Sequence, residues 1–249
     1  MSALGFGVRL RVFLRSFAIQ GSWNYRTLVG TGFAFALLPV LRLVHGSSTQ
    51  ALRSAIDRQA GLFNTHPYLS GIALGAVARL EEDGAPPELI ERFKAALRGS
   101  LGTLGDRLVW AGWRPACMLL SVLLLLSGAP WFVAIAVFLL AYNTGHLLLR
   151  WWALRTGLEA GRGVAERVRE AGLEPLRDRI AAAATFLLGC TLPLVAARGV
   201  TADPIRPAIA VLAGLAAFLG LRFGMLTRRP AITGLALVVA IGLLLGLVR

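Results

Sequence analysis

Two apolar runs, residues 108–127 and 130–149, follow one another with only Gly128 and Ala129 between them. A helix of 20 residues rises about 30 Å, which is about the thickness of a bilayer's hydrocarbon core. Each run is therefore long enough to cross a membrane. Gly128, Ala129 and Pro130 form too short a link for anything but a tight turn, so the pair is expected to be a transmembrane hairpin with both ends on one side. Three more apolar runs, 181–197, 205–221 and 231–248, are candidates for further spans. The composition agrees: 56% of residues are hydrophobic, mean hydropathy is +0.68, and only 16% are charged, against about 25% in soluble domains. The expected fold class is an all-α integral membrane protein.

The net charge of +13 comes almost wholly from arginine, because Lys94 is the single lysine. The arginines flank apolar runs instead of forming a patch with interleaved aromatics, which argues for membrane topology and lipid headgroups and against nucleic acid. The connector 150–179 carries Arg150, Arg155, Arg162, Arg167, Arg169, Arg177 and Arg179, and a later loop carries Arg222, Arg228 and Arg229. The positive-inside rule makes both loops cytoplasmic and sends the C-terminus outward, with Arg198 and Asp203 in an outer loop. Arg9, Arg11 and Arg15 break any signal-peptide core. The apolar periodicity between them predicts an amphipathic helix lying at the interface. Cys117 and Cys190 sit inside apolar runs and read as small core residues, without disulfide or metal spacing. His45, His66 and His146 lack a zinc spacing, and no P-loop lysine or G-x-S-x-G is present. No metal or cofactor is expected.

The N-terminal half is less regular. Residues 27–45 are long enough to span but contain Gly30, Gly32 and Pro39, while 68–80 is an apolar stretch of about 20 Å as helix, too short to cross. Gly99, Gly102 and Gly105 mark a third irregular stretch. Interrupted and re-entrant helices of this kind are tolerated where backbone lines a cavity. The expected divisions are 1–107, carrying these broken helices; 108–149, the hairpin; 150–180, the basic connector; and 181–249, three C-terminal spans.

Several polar residues stand out against this apolar background. Asn64, Thr65 and His66 precede Pro67, where Asn64 or Thr65 would also serve as a helix cap. Glu81, Glu82 and Asp83 close the short apolar segment. Acids at a helix C-terminus oppose the macrodipole, so a specific partner is expected, such as Arg79, Arg107 or a ligand hydroxyl. Asp106 reads either as the N-cap of the first hairpin helix or as an acceptor. Asn24 lies between the interfacial helix and the broken span. Arg114 is expected to snorkel or pair, and the tryptophans at 110, 113, 151 and 152 to lie at the membrane interface.

Three blocks carry a family resemblance: RSFAIQGSWNYRTLVGTGFAFALLPVLR, GLFNTHPYLSGIALGAVARLEED and RGSLGTLGDRLVWAGWRPA, with YNTGHLLLRWWALRTGLEAG as a fainter fourth. Together they resemble the IID subunit of the mannose/fructose/sorbose family of the phosphoenolpyruvate-dependent sugar phosphotransferase system. The chain departs from the family in having Thr27-Leu28 where Met-Gln is usual, and in its shorter connector. The resemblance implies a multi-pass protein of the bacterial inner membrane. It implies a permease subunit that forms, with a IIC subunit, the path for a sugar of the mannose, fructose or N-acetylglucosamine class. A soluble IIB, recharged by IIA, would donate the phosphoryl group, IID would carry no phosphorylation site, and IIC–IID pairs would assemble into a higher oligomer. Asn24, Asn64, Thr65, His66, Glu81, Glu82 and Asp106 are then expected along the sugar path or its gate. Arg150, Arg155, Arg162, Arg167 and Arg169 are expected to dock IIB. Two alternatives stay open on the residues alone: a non-transporting regulatory or scaffold protein from the same family, and an intramembrane enzyme using His66 with Glu81 or Asp106.

Overall fold

The computed structural model describes residues 4–199. The two predicted spans at 205–221 and 231–248, with Arg222, Arg228 and Arg229, lie outside them. Among the described residues the chain is all-helical, with two isolated bridges, Asn24 to Leu28 and Leu28 to Phe63, in place of any strand. The helices are α1 (Phe6–Ser16), α2 (Gly30–His45), α3 (Thr49–Ala60), α4 (Ser70–Glu82) and α5 (Pro87–Gly105). A π-helical segment (Asp106–Trp113) follows, then α6 (Arg114–Leu126), α7 (Trp131–Ala160), a 3-10 turn (Gly161–Gly163), α8 (Val164–Glu170) and α9 (Leu173–Gly199). They divide into two compact units, Met1–Ala111 with Tyr142–Arg177, and Gly112–Ala141 with Asp178–Arg249.

The helical stretches Pro87–Leu126 and Trp131–Glu170 are each long and apolar enough to cross a membrane. Their junction is the predicted turn, where Gly128 takes φ +95°, a left-handed conformation that suits glycine. Ser121 Oγ donates to the Ala134 carbonyl at 2.7 Å in the second unit. The predicted run 181–197 falls inside α9.

In the first unit α4 forms the axis of the core. All its residues from Ser70 to Ala78 are buried, as are Leu80 and Glu81, and α1, α2, α5 and the 3-10 turn pack around it. A segment apolar on every face belongs inside protein or lipid; this one is sheathed by its neighbours, so its short length is no defect. It crosses α7 at close range. A Cβ on Gly75 would lie 2.3 Å from the Leu154 carbonyl oxygen, and one on Gly157 would lie 2.3 Å from that of Ile72. Small residues spaced Gly71-x-x-x-Gly75 let the two backbones meet.

Gly32, Pro39, Gly99 and Gly102, expected as helix interruptions, lie inside continuous helices. α2 runs unbroken from Gly30 through Pro39. A proline leaves the carbonyl four residues earlier without its donor, and Arg15 Nη1 supplies one to Phe35 at 3.2 Å. Gly30 and Gly32 serve close packing: added Cβ atoms would lie 2.0 Å from the carbonyl oxygens of Gly61 and Ile19. α5 likewise passes straight through Gly99 and Gly102 to Gly105. Gly105 is small because the His66 side chain sits against it, with His66 Cβ 2.2 Å from where a Cβ would be.

Candidate functional site

Two polar clusters lie in the first unit, and the sequence-selected residues divide between them. The first centres on Glu81, 2% exposed near the end of α4. Its carboxylate accepts from Arg58 Nη2 at 2.8 and 3.0 Å, from Gln59 Nε2 at 2.8 Å, and bonds to His45 Nε2 at 2.7 Å. One carboxylate thus fastens the ends of α2 and α3 to α4. The partners expected for the three acids were Arg79, Arg107 or a ligand hydroxyl. Arg79 does pair with one of these acids, Asp83, at 2.9 Å one turn along the same helix, because side chains four residues apart share a helix face. Glu81 takes its partners from α2 and α3. Lys94 completes this region. Its Nζ donates to the Gln59 carbonyl at 2.6 Å, where α3 ends, and stands 4.8 Å from the Phe33 ring centroid. A cation there suits the negative end of the α3 dipole.

The second cluster gathers around Tyr68, between the Thr65-His66 segment and α7. The Tyr68 ring stacks on His146 at 4.1 Å between centroids, meets His66 edge-on at 5.0 Å and lies tilted against Trp110 at 5.5 Å. Its hydroxyl hydrogen-bonds that of Tyr142. The π segment brings Trp110 to His66 at 4.9 Å, an instance of a helix irregularity beside a polar site. Arg150 lies over the Tyr68 ring, 4.9 Å from its centroid.

His66 is 1% exposed. Its Nδ1 accepts from the Tyr68 backbone N–H at 3.2 Å, so the neutral ring carries its proton on Nε2. That Nε2 is buried without a hydrogen-bond partner, and so is Thr65 Oγ1. Burial first, then Arg150 and His146, push the His66 imidazole down to about 4. The ring is therefore a neutral donor at physiological pH.

The remaining sequence-selected residues lie elsewhere. Asn64 is exposed, Glu82 is half-buried beside Glu81, and Asp106 is exposed at the start of the π segment. Since α5 continues into that segment, Asp106 does not begin a helix and caps none. Asn24 spends its side chain locally: Oδ1 accepts from the Arg26 and Thr27 N–H groups at 3.0 and 2.9 Å, and Nδ2 donates to Ser22 O and Thr27 Oγ1. This turn holds Leu28 at φ +54° and ties the loop to Phe63, whose carbonyl accepts from Val29 N–H at 3.0 Å.

Arg155, Arg162, Arg167 and Arg169 are exposed, three of them in helical ion pairs with Glu159, Glu170 and Glu166 respectively. Arg150 does not share their face. It is 6% exposed and turned into the second cluster. Tyr142 and His146 were passed over as site residues and Arg150 was grouped with the docking arginines, although their i, i+4, i+8 spacing in YNTGHLLLR places all three on one helix face.

A family model described as "PTS system mannose/fructose/sorbose family IID component" matches residues 7–200. The chain belongs to this family. The mannose-specific EIID component of Escherichia coli K12 is 28% identical over 204 residues, covering 75% of this chain and 70% of that protein. A solved structure titled "Structure of membrane protein" superposes with TM-score 0.69 at 27% identity, covering 76% of this chain and 71% of that one. The cryo-EM structure of the mannose transporter ManYZ with microcin E492 gives TM-score 0.61 at 21% identity over 98% of this chain and 96% of that one, a likeness of fold. The protein is a membrane component of a mannose-family sugar phosphotransferase system.

Proposed function

We propose that this chain is the IID half of a working sugar permease, pairing with a IIC subunit to form the path along which a sugar of the mannose, fructose or N-acetylglucosamine class enters. The observation that carries the reading is the family match across residues 7–200. It is supported by the Tyr68 cluster, which brings together the rings of Tyr68, Trp110 and Tyr142 beside two unpartnered polar atoms, Thr65 Oγ1 and His66 Nε2. Sugar sites need both kinds of group: rings cover the apolar face, and fixed donors and acceptors meet hydroxyls that do both. Asn24 contributes by shaping its loop, Glu81 by fastening the helices behind the site, and Asn64, Glu82 and Asp106 by lining or gating the approaches.

The membrane arrangement follows from the same reading. α1 lies at the interface, the hairpin and the C-terminal runs cross the bacterial inner membrane, and the connector faces the cytoplasm. Arg155, Arg162, Arg167 and Arg169 present charge there to a soluble IIB, which IIA recharges. IIC–IID pairs assemble further. A regulatory, non-transporting role has no observation in its favour.

Co-expression with the cognate IIC and IIB, followed by uptake of labelled mannose, glucose, fructose and N-acetylglucosamine, tests the reading. Accumulation of sugar phosphate that disappears when this chain is omitted is the expected result. Absence of uptake of every sugar despite a stable complex with IIC would overturn it. Within the working system, His66→Ala and Asp106→Asn are expected to abolish uptake while leaving assembly with IIC intact; normal transport by both would remove the site assignment.

A further inference from the structure

Arg150 is a buried cation that meets no carboxylate among the described residues. Its Nε donates to His146 Nε2 at 2.7 Å, and its Nη1 donates to the Ser16 carbonyl and hydroxyl at 3.0 and 3.3 Å. All three acceptors are neutral. The guanidinium is sandwiched between the rings of Phe17 and Tyr68, 4.8 and 4.9 Å from their centroids. Among the described residues no carboxylate pairs with it and Nη2 has no hydrogen-bond partner. Buried charges in proteins are ordinarily paired, because leaving one uncompensated is costly. Arg58 in the same unit is paired in this way, meeting Glu81 at 2.8 Å.

What surrounds Arg150 narrows the missing anion. His66 Nε2, a buried group without a hydrogen-bond partner, is a donor as well, and both His66 and Arg150 rest on Tyr68. Donors without an acceptor or a negative charge favour an oxyanion. Guanidinium groups present two parallel N–H bonds that match phosphate oxygens. The neighbouring Tyr68, Trp110 and Tyr142 rings suit the body of a sugar. We propose that Arg150 and His66 form a subsite for a phosphate ester, holding the phosphoryl group of a hexose phosphate whose ring lies against the aromatic wall. This inference rests on the sugar-path reading. In its terms the cluster favours the product over the incoming sugar and retains it until release.

The complex of this chain with its IIC subunit, purified into phosphatidylcholine nanodiscs, is titrated with mannose, mannose 6-phosphate and inorganic phosphate while tryptophan fluorescence and melting temperature are followed. The wild type is expected to bind the phosphate ester, and Arg150→Gln to lower the affinity ratio of ester to parent sugar at least tenfold, with Arg150→Lys recovering part of it. An equal ratio in wild type and Arg150→Gln overturns the subsite while leaving the sugar path intact. Inorganic phosphate that raises the wild-type melting temperature but not that of Arg150→Gln, with no mannose bound, keeps the subsite and removes the sugar path. Discs containing phosphatidylglycerol separate the two sources of phosphate ester. Loss of mannose 6-phosphate binding there, absent from Arg150→Gln, assigns the subsite to a lipid headgroup. Should Arg150→Gln fail to assemble, the wild type decides alone: no rise in melting temperature with phosphate or ester, against chloride at equal ionic strength, overturns the proposal and leaves the counter-ion to a carboxylate of the IIC subunit.

Discussion

The Glu81 and Tyr68 clusters sit in the same helical unit and both bury polar side chains, yet they are finished differently. At Glu81 both carboxylate oxygens are engaged by donors from α2 and α3. Arg58 Nε and Gln59 Oε1 there, like Thr65 Oγ1 and His66 Nε2 at Tyr68, are buried without a hydrogen-bond partner. The difference is therefore one of charge: Arg58 faces a carboxylate, whereas among the described residues Arg150 has only neutral partners. A charge-compensated network of this kind needs no further ion, and its work is to hold helices together. A buried cation that meets no carboxylate is tolerated in a folded protein when something else compensates it. The residue type alone does not separate the two cases, since each cluster contains a histidine and an arginine.

The difference predicts a graded set of outcomes. The largest belongs to Glu81→Ala, which strands Arg58 in the interior and is expected to remove about 3–5 kcal/mol of stability, seen as failure to accumulate or a sharply lower melting temperature in detergent. If this variant melts like the wild type, the network is not structural. Next is Gly75→Ala, whose new methyl would press on the Leu154 carbonyl at 2.3 Å and destabilise by about 1–3 kcal/mol. Gly99→Ala, in a helix with nothing within 4 Å of the added atom, should instead gain about 0.5–1 kcal/mol. Equal melting temperatures for the two variants would refute the close crossing of α4 and α7.

A smaller effect concerns pH. The His66 imidazole is pushed from 6.5 down to about 4 in the folded chain, so between those values the unfolded chain binds more protons than the folded one. The stability it contributes is complete above about pH 6.5 and is lost as pH falls toward 4. His66→Gln should flatten the fall in melting temperature between pH 7 and pH 5; an unchanged slope would show that His66 is not held neutral by burial. The smallest effect is Arg155→Gln. The ion pair with Glu159 is on the surface, where such pairs contribute little, and the melting temperature should not move. A reduced affinity for IIB with unchanged stability would then isolate the docking role of that face.

How far the sequence reaches can be judged from these same residues. The apolar runs announce the hairpin because length and hydropathy are local properties, and the turn at Gly128 needed only its neighbours. Glycine and proline were harder. Pro39 signals a break, yet the donor that lets the helix continue comes from Arg15, in a different helix. Gly105 signals irregularity, yet it is small because His66 lies against it. Thr65 and His66 were singled out through the Phe-Asn-Thr-His-Pro block, and both are buried with Oγ1 and Nε2 unpartnered. Glu81 was rightly suspected of having a specific partner, but its donors are 22, 23 and 36 residues away, beyond the reach of helical spacing. Arg150 was grouped with the connector because charge patterning records sign and position, not direction. Its inward turn was nonetheless readable from the helical stripe it shares with Tyr142 and His146.

Lys94 has a practical consequence. It carries the chain's one side-chain amine, is 4% exposed, and holds the end of α3 through the Gln59 carbonyl 2.6 Å away. Amine-selective reagents and lysine-specific proteases therefore meet no exposed lysine on the folded protein. Their reaction at position 94 times the parting of α3 from α5, and the chain comes equipped with its own single-site clock for the first stage of coming apart.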